Sequence, residues 1–312
     1  MNSFLIALDC VTPVFLYMAL GYAAKRAHFL TEEMCPALNR FTFRFLLSIN
    51  MFKNAYAADL SGAFSLRPVL FLVLFYLVSF LLSWPLFKRF VSDRRARGAL
   101  IQTTFRSNIG IVGITMGETL MGVDGLASMA IAVAVIVPFS NLLAVSTLEL
   151  LNGEQVKPGK VLRHVLTNPL ILGAFFGFLI NLSPFRLPGT LEAVVSTLAK
   201  TGTTLALIVL GASFRFARLS ANPARLVWGN LIRLVLSPAA ALALAVALGM
   251  RGGELAVVLL TAGSPFSASA VALASSYDSD VELTGQLVVT SSLLCCFTLF
   301  LWIAFFKEFA LI

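Results

Sequence analysis

The chain has 312 residues, 59% of them hydrophobic and only 12% charged, with a mean hydropathy of +0.91. An ordinary soluble domain carries about 25% charged residues, so this composition cannot cover a surface of this size with water-facing groups. A cytosolic enzyme, a nucleic-acid binder and a disordered chain are thereby excluded, and the formal charge of +8 is assigned to the cytoplasmic loops of a polytopic membrane protein.

A transmembrane helix needs about 20 mostly apolar residues. That ruler predicts ten spans, at 4–24, 36–57, 67–87, 97–119, 125–148, 165–182, 189–213, 223–248, 253–275 and 282–306. No basic residue precedes the first span and Lys25-Arg26 follow it, so it reads as a retained helix rather than a cleaved signal peptide. The second span carries Asn50 at depth. The fourth is the first to break the apolar pattern. Its stretch Phe105-Arg106-Ser107-Asn108-Ile109-Gly110-Ile111-Val112-Gly113 puts a cation, an amide and two glycines in mid-membrane. Asn141 lies in the fifth span.

In the seventh span Lys200 lies about mid-depth beside Thr201, Gly202, Thr203 and Thr204. It reads as a fixed cation, a proton-linked amine or a snorkelling residue. Arg233 in the eighth is deep but has no polar residues around it in sequence, and reads as structural. The ninth contains Ala262-Gly263-Ser264-Pro265-Phe266-Ser267-Ala268-Ser269. Pro265 removes a backbone donor and clashes with the preceding turn, so the helix is expected to open there.

Cys10, Cys35, Cys295 and Cys296 show no metal or disulfide spacing. His28 and His164 fall in loops, and no aspartate is central. An intramembrane protease would need such groups, so the reading is not an enzyme, with no cofactor and no metal.

The chain also repeats. Thr12-Pro13 with Gly21 matches Asn168-Pro169 with Gly177 at an offset of 156, and Pro68/Pro223 and Pro85/Pro238 follow at 155 and 153. At the offset of 156, Asn108 falls on Ser264 and Ile109 on Pro265, so the two interruptions are equivalent. The fold class predicted is an all-α polytopic membrane protein: ten transmembrane helices as two inverted five-helix repeats, 1–150 and 163–312, joined by a cytoplasmic loop 151–162, with broken crossover helices 4 and 9. Inverted repeats of this kind mark secondary transporters with a midplane site.

With the N-terminus outside, Lys25, Arg26, Lys88, Arg89, Arg94, Arg95, Arg97, Lys157, Lys160, Arg163, Arg215, Arg218 and Arg225 are cytoplasmic. Only Arg67, Arg186, Arg251 and Lys307 are outside. Both termini are therefore expected outside. At a rise of about 1.5 Å per residue, Asn108 and Ser264 each lie roughly 16 Å into a core about 30 Å thick. Half-helices beginning at the breaks point positive dipole ends at the centre, and Arg106 adds a full charge. The midplane is thus expected to hold an anion such as a small carboxylate, bound by Arg106, Ser107, Asn108, Gly110, Gly113, Ser264, Pro265, Ser267 and Asn50. Lys200, Thr203, Asn141 and Ser269 are the candidates for ion coupling, with proton and sodium both open. The partners expected are the carboxylate, the coupling ion and the bilayer, a homodimer being open and nucleic acid excluded.

These motifs carry a resemblance. Arg106-Ser-Asn108-Ile-Gly110-Ile-Val-Gly113, Leu148-Glu149, Leu210-Gly211-Ala212 and Ser264-Pro265 with Tyr277 resemble those of a bacterial member of the auxin efflux carrier family, related to the plant PIN-FORMED carriers. The resemblance covers all ten spans. It implies a fold similar to the bile-acid sodium symporters and small carboxylates such as malonate or malate as bacterial substrates. It also implies a scaffold of helices 1, 2, 6 and 7, a moving unit of helices 3–5 and 8–10, and an inner-membrane location. By position, Asn108 matches the crossover asparagine that contacts substrate, and Pro265 the proline of the second break. Where the family often has Gly-Ile-Pro, this chain has Gly113-Ile114-Thr115, and the short segment from Glu149 to Arg163 lacks the long loop of the larger plant carriers.

Overall fold

The computed structural model describes residues 3–57, 66–151, 167, 169–212, 223–277 and 279–312. Among them there is no β-strand, only helices. Nearly all of the loop 151–162, with Lys157 and Lys160, lies outside the described residues, as do Arg163, Arg215 and Arg218.

The first helix, α1, is Ser3–Arg26, ending on Lys25 and Arg26, where cations face the negative end of the helix dipole. Next, α2 (Met34–Phe41) runs through a π-helical turn, Thr42–Leu46, into α3 (Leu47–Tyr56). Pro68 occupies the first turn of α4 (Arg67–Phe90), a position where a missing N–H costs nothing. Leu70, Leu74, Leu77 and Leu81 on α4 are exposed. Four exposed leucines at helical spacing make a face that belongs in lipid rather than water.

The fourth predicted span is indeed broken. Its first piece, α5 (Arg94–Thr103), starts from Asp93, whose carboxylate accepts the Arg95 N–H at 3.0 Å. A non-helical step follows, then a π-turn at Ile109–Gly113, then α6 (Ile114–Leu151). Within α6, Gly122 adopts φ 69°, ψ −152°, a conformation that a side chain would resist, and separates the end of the fourth span from the fifth.

The second half supplies α7 (Pro169–Leu182), α8 (Gly189–Ala212) and α9 (Pro223–Leu231). A π-turn at Ile232–Leu236 joins α9 to α10 (Ser237–Ala247). The ninth span is also two pieces, α11 (Gly252–Gly263) and α12 (Ser269–Ser276), and α13 (Val281–Glu308) closes the fold.

Among the described residues, five helices are long and apolar enough to cross a membrane: Arg67–Phe90, Ser128–Leu151, Gly189–Ala212, Pro223–Ala247 and Val281–Glu308. Of the other predicted spans, the first is the 24-residue α1, and the rest are shorter for local reasons. The fourth and ninth are opened at their centres, the second is divided by a π-turn, and α7 begins beside residues outside the description.

Most helices pack in two neighbourhoods, which meet where α1 lies on α13 and α3 on α6. In one, α3 lies on α7 and α8, and α1 on α8. In the other, α11 packs on α10, α6 and α4, and α12 on α13. The first is drawn together by glycines. A Cβ on Gly21 would sit 1.8 Å from the Ile208 carbonyl oxygen, on Gly211 1.9 Å from that of Met18, and on Gly173 2.2 Å from that of Ser48. Gly173 and Gly177 therefore serve backbone-to-backbone packing within the chain.

Candidate functional site where two broken helices cross

The two interruptions meet. Ser107 and Phe266 form an isolated antiparallel bridge, with the Asn108 N–H donating to the Pro265 carbonyl at 2.8 Å and the Ser267 N–H to the Arg106 carbonyl at 3.4 Å. Backbone that leaves both helices at mid-span thus satisfies part of its hydrogen bonding in the opposite break, a condition for non-helical chain at membrane depth.

Beside the bridge is a cavity of about 40 Å³, lined by Leu47 and Met51 of α3 on one side. On the other are Ser107, Asn108, Gly110 and Ile111 of the first break, Ser140 and Asn141 of α6, and Ser267, Ala268 and Ser269 of the second. It lies between the two neighbourhoods of helices. Among the described residues no acidic side chain lines it, and its polar groups are hydroxyls and amides. Asn108 Nδ2 is buried and has no partner among the described residues. A buried donor left unsatisfied costs about 1–3 kcal/mol, so an acceptor arriving there regains that energy.

Arg106 is 1% exposed but does not line the cavity. It stands behind the wall. Its Nη1 donates to Gln102 Oε1 at 2.9 Å, and its Nη2 to Asn141 Oδ1 at 2.9 Å and Ser269 Oγ at 2.7 Å. Both of the latter are cavity residues. All three acceptors are neutral, and Arg106 forms no ion pair among the described residues, so its charge is not cancelled locally. Ser267 and Ser269 hydroxyls are linked at 3.0 Å.

Of the residues the sequence nominated, the structure gathers Ser107, Asn108, Gly110, Asn141, Ser267 and Ser269 around one cavity. The others lie elsewhere. Gly113 is buried against Ile109 and Met129. Ser264 Oγ returns to the Leu260 carbonyl at 2.5 Å, and Pro265 contributes only its carbonyl. Asn50 Nδ2 donates to the Ala199 carbonyl at 3.1 Å, tying α3 to α8. Lys200 is exposed on α8 and does not line the cavity, and the Thr203 side chain lies outside those described. Residues missed from sequence are Gln102, Ser140, Leu47 and Met51. Gln102 had a signal: it lies four residues before Arg106, the spacing of side chains that meet on a helix.

Helices throughout the described residues, several of them apolar and of membrane length, define a multi-pass membrane protein. The model of a family described as membrane transport protein matches residues 6–157 and 156–303. The chain belongs to that family, the auxin efflux carrier family. It is 28% identical over 309 residues to an uncharacterized transporter of Methanothermobacter thermautotrophicus, covering 96% of this chain and 98% of the relative. It is 24% identical over 317 residues to one of Methanocaldococcus jannaschii, again covering 96% and 98%. Similarity extends to auxin efflux carrier component 5 of Arabidopsis thaliana, at 22% over 311 residues, covering 86% of this chain and 88% of that protein.

Proposed function

We propose that the chain is a secondary transporter of small organic anions, carboxylates of the malonate or malate class, that works by alternating access. The observation that carries this reading is the crossover cavity, with the unpartnered Asn108 amide donor, a lining of neutral donors and an uncancelled guanidinium behind it. The N-terminal ends of the segments starting at Ile109 and Ser269 add partial positive charge on the same side. A cavity of about 40 Å³ holds a few waters, each needing about 10–15 Å³ of such space, and is too small for a dicarboxylate. Admitting one requires α3 to part from the crossing. That motion is the one alternating access demands: α1–α3, α7 and α8 as scaffold, and the crossover helices with α4, α6, α9, α10 and α13 as the moving unit.

The test is counterflow in proteoliposomes. Labelled malonate or malate is expected to exchange saturably, and Asn108→Ala to weaken binding about tenfold or more while leaving monodisperse protein. The figure follows from about 1.5–3 kcal/mol for a hydrogen bond to a charged group and tenfold per 1.4 kcal/mol. Unsaturated flux at pore rates would identify a channel instead, and normal binding by Asn108→Ala would place the site elsewhere.

The membrane arrangement belongs to the same proposal: two inverted halves, 1–150 and 163–312, in the inner membrane with both termini outside. A reporter active only in the cytoplasm is expected to be silent after Ile312 and active within 151–162. The opposite pattern reverses the orientation.

A further inference from the structure

Every helix that stops inside a membrane leaves carbonyls without intrahelical donors, and with no water in the bilayer core something else must satisfy them. At this crossing α5 and α11 both end at the centre, and several of their last carbonyls have donors from elsewhere in the crossing. Gln102 O accepts from the Arg106 N–H at 2.9 Å, and Leu260 O from Ser264 Oγ at 2.5 Å. Thr261 O accepts from the Tyr76 hydroxyl at 3.3 Å, and Thr104 O from Ser237 Oγ at 3.2 Å. Thr103 O, on α5, and Ala262 O, on α11, accept from one and the same side chain, the guanidinium of Arg233, through Nη1 at 3.4 Å and through Nη2.

Arg233 is fully buried and sits in the π-turn Ile232–Leu236. Trp302 Nε1 donates to the Leu234 carbonyl of that turn at 3.2 Å. Sequence alone showed no polar neighbours for Arg233, because its partners are backbone oxygens from two other spans. The charges match as well. Each helix C-terminus carries roughly half a negative charge, so two converging ends amount to about one, and one guanidinium balances them. In transporters of this general build, half-helix C-terminal ends and opened carbonyls are where a sodium ion or proton is held. Here a side chain fills that place.

We propose that Arg233 is the built-in cation of the crossover, a positioning residue that joins the ends of α5 and α11 and makes a bound alkali ion unnecessary for folding the site or for binding the anion. The inference rests on the transporter reading for its meaning, but its main test needs no substrate. Thermal melting of the purified wild-type protein is compared in sodium, potassium and choline chloride at equal ionic strength, with and without millimolar methylguanidinium. The same series is run on Arg233→Ala, Arg233→Lys and, as a surface control, Arg89→Ala.

Wild type and the control are expected to melt alike in all salts. Arg233→Ala is expected to melt lower by about 5 °C or more and to recover at least half of that fall in methylguanidinium or in one of the alkali salts. Arg233→Lys is expected to lie nearer wild type, since an ammonium still supplies the charge. The proposal is overturned if Arg233→Ala melts as wild type does. It is equally overturned if that variant falls but responds to added cations no differently from wild type, or if the wild type itself gains stability from sodium over choline. Should Arg233→Ala yield no folded protein, Arg233→Lys decides: recovery supports the proposal, and a lysine variant equally unfolded overturns it. A second arm compares malonate binding by the wild type in sodium and in choline. Equal affinity is expected, and sodium-dependent affinity overturns the built-in cation. Absence of binding in both overturns the anion reading and leaves the melting result standing.

Discussion

Arg106→Ala is expected to lower affinity for a small carboxylate about a hundredfold, more than Asn108→Ala, although Arg106 does not touch the cavity. Its guanidinium positions two cavity residues at once, Asn141 and Ser269, and is tied to its own helix through Gln102. Removing it takes the donor from Gln102 Oε1 and Asn141 Oδ1, at about 1–3 kcal/mol for each acceptor left unsatisfied, leaves Ser269 Oγ its link to Ser267, and lets both cavity side chains turn away. It also removes the one uncancelled charge near the site. Titration calorimetry on purified protein measures the loss, and a double-mutant cycle gives its cause. If Arg106 acts through Asn141, then Asn141→Ala costs little on the Arg106→Ala background, and the two changes are strongly non-additive. If Arg106 contacts the anion itself, the losses add. Arg106→Lys is expected to be intermediate, because an ammonium keeps the charge without the planar fork that reaches several acceptors together.

How far the site was legible in sequence follows from what kind of partner each residue has. Arg106, Ser107, Asn108 and Gly110 were conspicuous because their composition is wrong for a lipid-facing helix, and Pro265 because no helix continues through it unaltered. The pairing of the two breaks came from the repeat offset, which put Ile109 on Pro265; the structure has Asn108 bonded to the Pro265 carbonyl. Other assignments depended on rotation about a helix axis, which spacing does not reveal in chains apolar on every side. Gly113 and Asn50 were assigned to the ligand, yet one packs on Met129 and the other bonds α8. Lys200 is a candidate for ion coupling from its depth and its threonine neighbours in sequence, and neither says which way a side chain faces. Arg233 was read as structural for want of polar neighbours. Backbone carbonyls carry no sequence signal, so the acceptors that define its position could not be seen until α5 and α11 were placed end to end.

The second large effect is expected at a glycine. Gly211→Val is predicted to abolish recovery of monodisperse protein, and Gly211→Ala to reduce it severely. Even a methyl at Gly211 would lie 1.9 Å from the Met18 carbonyl oxygen, 2.6 Å from its carbonyl carbon and 2.7 Å from its Cα. Those are backbone atoms, so no rotamer change relieves the clash, and α1 must part from α8 by more than about 1 Å to regain contact distances near 3.5 Å. Such a shift breaks the reciprocal contact at Gly21, whose own Cβ position lies 1.8 Å from the Ile208 carbonyl oxygen. Overpacking a tight interior costs about 1–3 kcal/mol when side chains can adjust, and more when they cannot. Gly285→Ala on α13 is the matched control. Nothing lies within 4 Å of the methyl it would add, and exchanging glycine for alanine inside a helix favours folding by about 1 kcal/mol. Size-exclusion profiles after detergent extraction decide the matter. If Gly211→Ala elutes and melts as wild type does, the α1–α8 contact is not the rigid seam that a crossover unit needs to move against. If Gly211→Ala is lost while Gly285→Ala is unharmed, close backbone approach holds α1 and α8 together, as the proposed scaffold requires.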